Sequence, residues 1–476
     1  MAGFPEELYF STLTELSARL RAKDFSCVEL TRAYLDRLER LGPRLNALAL
    51  LLRETALNEA REVDGDLKRG RTRGVLQGIP FGAKDLLAVK GKVTAWGAKP
   101  YAGQVFDEDA AVIRKLRSAR AVLIGKLGMV ELAGGGGYRY PAASLTGPGL
   151  NPWDRSKWSG GSSSGSGSAV GAGLVPFALG SETSGSILTP SAYCGVTGLR
   201  PTYGLVSRAG AMALSWTLDK IGPMARSADD CGHILQAIAG GDSADPGSAG
   251  KRFNYAPQFP RDLTSLKLGW APADFSDWAE PETRPAFQAA LEVVKTFGMP
   301  LVEVSLPDYP YGALVSTIIG AEAGSIFEEL ITSGAVDQLD DARQIAGLKA
   351  GLEIPAKDYL RAMRIRRLIQ DGFRQLFAQV DVLLAPSRYN PASGVTQPLD
   401  RPFRDRPTPP RPGMSGLIPA GNLAGLPAIS LPCGFAGGLP VAIQFVARPF
   451  QENLLLKLGR EFQQRTDWHR RRPPVS

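Results

Sequence analysis

Apolar positions recur at helical spacing near the start of the chain: Leu13, Leu16 and Leu20, then Val28, Leu30, Tyr34, Leu35 and Leu38. This spacing predicts a helical pair across 11–42, with Ser26 placed to cap the second helix. Short apolar runs follow at 45–51, 79–89, 121–125, 175–180, 266–270, 301–306, 380–385, 428–433 and 441–446, alternating with helix-like segments. Such alternation predicts an α/β fold, with a central mixed twisted β-sheet covered by helices on both faces. A further helix is expected near 228–238, followed by a Gly-, Pro-, Asp- and Ser-rich surface connection at 242–260. The segment 280–377 reads as a mostly helical insertion or second lobe, and 388–412 as an irregular loop rich in Pro, Arg and Asp. No internal repeat is visible, so 1–476 is expected to form a single domain with its chemistry concentrated in 74–240.

Composition narrows the class. With 476 residues, 44% hydrophobic and 21% charged, the chain can bury a large core without disulfides or metal, and long disorder or coiled coil is disfavoured. Lys and Arg exceed Asp and Glu by eight, but the excess is spread out except for the tail His469 to Arg472, which reads as a solvated basic end. The expected partners are therefore a small molecule, no nucleic acid and no membrane, with the chain a monomer or homodimer. Cys27, Cys194, Cys231 and Cys433 show no CxxC spacing, which suggests buried free thiols and no zinc site. The opening MAGFPEELYF has no apolar signal core, and the cytoplasm is the expected location. Only His233 and His469 exist, which leaves few ways to build a Ser-His-Asp triad or a histidine metal site.

Three stretches carry candidate chemistry. The tract 159–170, Ser-Gly-Gly-Ser-Ser-Ser-Gly-Ser-Gly-Ser-Ala-Val, looks by composition like a flexible linker, yet both its flanks read as folded core. The stretch 180–195 follows a strand-like run. In it the N–H groups of Thr183, Ser184, Gly185 and Ser186 can converge on one point and hold an oxyanion, or the segment is simply a tight turn of small residues. Lys84 stands in the small and apolar stretch 78–87, either as a strand-end residue reaching water or as a buried base whose ammonium is disfavoured by desolvation.

Together the three stretches resemble the amidase signature family, whose GxPxxxKD, GGSSGG and GS[DE]TGGS motifs occur in this order. The 24 positions from Ser162 to Ser186 match the family spacing, and the resemblance continues through GLRPTYG (198–204), DKIGPMARSADD (219–230) and NLAGLPAISLP (422–432). It implies Ser186 as nucleophile, Ser162 as proton relay after a cis Gly161–Ser162 bond, Lys84 as neutral base, backbone N–H groups of Thr183 to Ser186 as oxyanion hole, and no metal or cofactor.

Departures from the pattern bear on the substrate. Ser164 and Ser184 stand where the family usually has Gly. Leu188 stands where it commonly has Arg, which leaves Glu182 without its usual partner and favours a neutral acyl group. Gly134, Gly135 and Gly136, in a four-glycine loop, with Tyr138 and Tyr140, are expected to form one wall of the acyl pocket, and 388–412 a lid opposite. The resemblance implies hydrolysis of small organic, aryl or acyl amides, with carbamates or urethanes and esters as related substrates. The alternatives are the glutaminase subunit of a tRNA-dependent amidotransferase and a non-catalytic binding protein of the same fold.

Overall fold

The computed structural model describes residues 4–259, 261–400 and 411–474. The first two helices are Leu13–Ala22 and Cys27–Leu41. Each is opened by a reciprocal cap: Thr12 with Glu15, and Ser26 with Glu29.

Eleven strands form one sheet: β1 (Leu48–Leu51), β2 (Pro80–Lys84), β3 (Val122–Leu127), β4 (Ala178–Glu182), β5 (Thr197–Arg200), β6 (Lys220–Ala225), β7 (Leu268–Trp270), β8 (Leu301–Glu303), β9 (Val382–Pro386), β10 (Ala428–Ala436) and β11 (Leu439–Ala447). Their order is β1-β3-β2-β4-β6-β5-β10-β11-β9-β7-β8. β2 runs parallel to β3 and β4, and β7 parallel to β8 and β9, while the remaining pairs are antiparallel. Every residue of β2, β3, β4, β6, β9 and β11 is buried, and since side chains alternate across a strand, helices must cover both faces there.

All nine apolar runs become strands. The two additional strands, β5 and β6, carry Thr-Gly-Leu-Arg and Lys-Ile-Gly-Pro-Met-Ala, whose polar and helix-breaking residues hide the strand pattern. Segment 280–377 holds the helices Arg284–Lys295, Tyr311–Ile326, Glu328–Thr332, Ala342–Gly351 and most of Ala356–Gln379, together with β8, which adds an edge strand to the common sheet. Within 388–412 the described residues, 388–400 and 411–412, form neither helix nor strand; the remainder of the expected lid lies outside the described residues. Among the described residues no helix is long and apolar enough to cross a membrane, and the four cysteines are buried and unpaired.

The serine-glycine tract is a packed element. Ser164–Gly171 is a helix whose eight residues are all buried. A Cβ at Gly165 would stand 2.5 Å from Gly128 N and 2.6 Å from Ala47 O, so glycine allows this helix to lie directly on neighbouring backbone. Two of its serines are satisfied on backbone: Ser166 Oγ donates to Leu179 O and Ser168 Oγ to Leu150 O.

Candidate active site

The site forms at the carboxyl ends of the parallel neighbours β2 and β4, the end of an α/β sheet where loops offer space for a ligand. Lys84 is the last residue of β2, and Glu182 the last of β4. Lys84 Nζ lies 2.8 Å from Ser162 Oγ and 2.9 Å from Ser181 Oγ. The peptide bond Gly161–Ser162 is cis.

Exposure separates the three residues: Lys84 is 0% exposed, Ser162 1% and Ser186 9%. The two hidden groups are packed together, while Ser186 keeps an accessible surface. Burial pulls the Lys84 ammonium down to about 7, against the opposing pull of the Asp219 and Glu182 carboxylates. Burial thus favours the neutral amine, whose lone pair faces a hydroxyl proton.

Ser163 ties the serine loop to the end of β4 on three bonds. Its N–H donates to Ser186 O at 3.3 Å, its Oγ donates to Ser181 O, and it accepts from Ser181 N, both at 3.2 Å. Ser162 O in turn accepts from Val130 N. Ser186 is thus held against the Ser162 loop through backbone, and its hydroxyl makes no hydrogen bond among the described residues.

The turn 183–186 leads directly into the helix Leu188–Cys194. Gly185 has φ +96°, a left-handed conformation that favours glycine, and a Cβ there would meet Ile418 and Thr189 at 3.2 and 3.3 Å. The N–H groups of Ser184, Gly185 and Ser186 meet no loop or side-chain acceptor among the described residues. Those of Ile187 and Leu188 are taken by Glu182 Oε2 at 2.9 and 3.0 Å.

Glu182 has a partner after all, which corrects the expectation drawn from Leu188. Arg200 Nη1, on β5, stands 2.9 Å from Glu182 Oε1, with both side chains fully buried. Asn422 Nδ2 donates to the same oxygen at 2.8 Å. Burial pushes the Glu182 carboxyl up, but Arg200, Asn422, Lys220 and the Leu188 N–H outweigh it and hold it below the usual carboxylate range. Leu188 is buried among Leu218, Met414, Leu417 and Ile418.

Four groups at the site were not legible as such in the sequence: Ser181, Asp219, Arg200 and Asn422. Each stands in a quoted motif stretch, but its contact depends on how distant segments pack together. Asp219 accepts from Thr183 Oγ1 at 2.6 Å and from Leu214 and Ser215 N–H groups, and burial pushes its carboxyl up.

The glycine loop lies against the helix Ala342–Gly351: a Cβ at Gly136 would fall 2.5 Å from Gln344 O, and one at Gly135 3.0 Å from Leu214. Gly134 is packed under the Tyr138 ring. The Tyr138 hydroxyl borders the Gly161–Ser162 peptide, whereas Tyr140 is exposed with the Arg139 guanidinium over its ring. Neither histidine joins this cluster. His233 packs edge-on against Tyr255, and His469 O accepts from Arg226.

Two cavities flank the 181–186 turn. One, about 460 Å3, is bordered by Ser181, Thr183, Leu214, Trp216 and Asp219. The other, about 280 Å3, is bordered by Ser184, Trp278, Arg388, Ser415, Ile418 and Gln444. Among the described residues no group of three or more His, Cys, Asp or Glu could hold a metal ion.

The mixed sheet under helices thus carries a buried lysine 2.8 Å from a serine hydroxyl at its strand ends. The amidase family model matches residues 29–456, and the chain belongs to that family, the amidase signature enzymes, which act on carbon–nitrogen bonds. It is 38% identical over 493 residues to one component chain of the glutamyl-tRNA(Gln) amidotransferase of Chromohalobacter salexigens, covering 98% of this chain and 99% of that one. The solved peptide amidase of Stenotrophomonas maltophilia is 32% identical with a TM-score of 0.83, covering 98% of each chain. A bacterial aryl acylamidase, 20% identical, shares the fold at a TM-score of 0.86 over 97% of this chain and 98% of that one.

The first of these relatives overturns the expected partners. A full-length relative that is one subunit of an amidotransferase named for a tRNA removes the ground for expecting no nucleic acid and no other protein chain. The even spread of charge that suggested otherwise reports only on long-range attraction to phosphate, not on a surface shaped for another polypeptide.

Proposed function

We propose that the chain hydrolyses amide bonds through an acyl-enzyme on Ser186, with Ser162 passing the proton to Lys84. Ser186 Oγ attacks the carbonyl carbon as its proton moves to Ser162 Oγ and the Ser162 proton moves to Lys84 Nζ. The oxygen of the tetrahedral intermediate is held by the N–H groups of the 183–186 turn, which are fixed by Glu182 and by Gly185's conformation. The relay then returns a proton to the leaving nitrogen, the C–N bond breaks, and water repeats the sequence to free the acid. The observation that carries this reading is the 2.8 Å approach of a fully buried Lys84 amine to Ser162 Oγ, with the amine brought to about 7.

For the setting, the 38% identity along the full length favours the glutaminase subunit of a tRNA-dependent amidotransferase, which releases ammonia from a side-chain amide for use elsewhere in a complex. A free-standing amidase is the second reading, supported by the 32% identity to the peptide amidase and by apolar Leu188 in the core beside the turn. Affinity purification from the native cell, followed by ammonia release from glutamine and from a panel of aryl and alkyl amides, separates them. Stable co-purifying chains and glutamine turnover support the first; turnover of other amides by the isolated chain supports the second.

A further inference from the structure

We propose that Asp219 is a positioning residue of the hydrolysis: its single carboxylate braces the 183–186 turn through Thr183 and supplies the negative charge beside the Lys84 base. The inference rests on the hydrolase reading and adds to it a residue that acts through others.

β4 and β6 run antiparallel with Glu182 opposite Lys220, so the next residues outward, Thr183 and Asp219, meet beyond the strand ends. There Thr183 Oγ1 donates to Asp219 Oδ1 at 2.6 Å, a short charge-assisted bond from the first residue of the turn. Asp219 Oδ2 is occupied from the other side, by Leu214 N–H at 2.8 Å and Ser215 N–H at 2.9 Å. The carboxylate is thus clamped by the loop 214–219. That loop is anchored elsewhere in turn: Thr217 Oγ1 donates to Glu322 Oε1 at 2.8 Å, on the helix Tyr311–Ile326, and Arg366 Nη2 donates to Thr217 O at 2.8 Å. The turn therefore has two supports. Glu182 holds its far end through the Ile187 and Leu188 N–H groups, and Asp219 holds its near end through Thr183.

Charge gives the same carboxylate a second effect. Ser181, two residues before Thr183, lies 2.9 Å from Lys84 Nζ, so base and turn share one strand end. Against the downward push of burial, Asp219 pulls the Lys84 ammonium up, and Glu182 does so less strongly. Glu182 is matched by Arg200 at 2.9 Å, whereas the hydrogen bonds to Asp219 come from an uncharged hydroxyl and two backbone N–H groups. The remaining charged groups packed around the pair are Lys220, Arg200, Arg366 and Arg208, the last paired with Asp245. Neutralising Asp219 removes a stabiliser of the protonated amine, so the Lys84 pKa falls.

The test reads the rate at which a fluorophosphonate modifies Ser186 between about pH 5 and 9, by mass spectrometry on the full chain with any co-purifying chains retained. The wild-type rate is expected to rise through an acid limb to a plateau. Asp219→Asn is expected to move that limb to lower pH by about one unit and to lower the plateau by about tenfold or more. Thr183→Val, which keeps the charge and loses the donor, is expected to lower the plateau with the limb in place, and Thr183→Ser to recover most of that loss. A merely structural role for Asp219 would not move the limb. An unmoved limb in Asp219→Asn, or a plateau that Thr183→Val leaves at the wild-type height, overturns the assignment, while labelling of Ser186 keeps the hydrolase reading standing. If Asp219→Asn does not fold, the Thr183→Val and Thr183→Ser pair decides. No labelling of Ser186 in the wild type overturns both readings.

Discussion

As the pH falls a growing share of Lys84 carries a proton and loses the lone pair on which the proposed relay depends. With the amine at about 7, kcat/KM should fall tenfold for each unit of pH well below that point and level off above it. A pH–rate profile of wild type checks this; an acid limb centred two units lower would point to a carboxylate base. Lys84→Met should cost on the order of 10^4-fold in kcat, while the thermal transition of the folded chain is retained, because the substitution exchanges a desolvated amine for an apolar side chain. At this scale the sequence marked Lys84, Ser162 and Ser186 by type and spacing. It did not mark Arg200 as the partner of Glu182, since their buried ion pair joins β4, legible as an apolar run, to β5, a strand whose polar Thr-Gly-Leu-Arg sequence hid it.

Elements matter because the turn 183–186 has no regular structure of its own and borrows its shape from what surrounds it. Glu182 fixes the start of the helix Leu188–Cys194 through two N–H groups, and Arg200 and Asn422 fix Glu182. Arg200→Met leaves that carboxylate buried without its cation, and should destabilise the protein by about 3–5 kcal/mol in denaturant titration. Gly185→Ala should lower kcat more than it raises KM, by on the order of 10^2-fold, since the added Cβ strains a left-handed residue and presses on Ile418, displacing the N–H groups that the proposed mechanism aims at the oxyanion. A KM effect alone would argue against an oxyanion role. The helix Ser164–Gly171 shows why composition misleads at this scale. Eight small residues that would be a tether in water form a helix because they let backbone approach backbone, a property of the neighbours and not of the segment.

For the whole molecule, the alternation of apolar runs was enough to give a mixed α/β sheet, since nine of its strands are built on such runs and the central ones bury both faces. On association, charge and composition are silent. An interface with another polypeptide is a matter of shape, and a net excess of eight positive charges spread along the chain carries no signature of it. If the amidotransferase reading holds, size-exclusion chromatography of the natively purified protein should give a mass well above 50.8 kDa with additional polypeptides in the peak. A single species of this chain alone, active on simple amides, would favour the free-standing enzyme.

Covalent acylation of Ser186 with Lys84 as the base is the step on which the proposed mechanism stands, and it can be read from one mass-spectrometric experiment. The protein is treated with a fluorophosphonate at pH 8 and digested, and the modified peptide is sequenced. A single phosphonyl adduct on Ser186 is expected, absent in Ser186→Ala and strongly slowed in Lys84→Met. An unmodified chain, or an adduct on another residue that persists in Ser186→Ala, would contradict it.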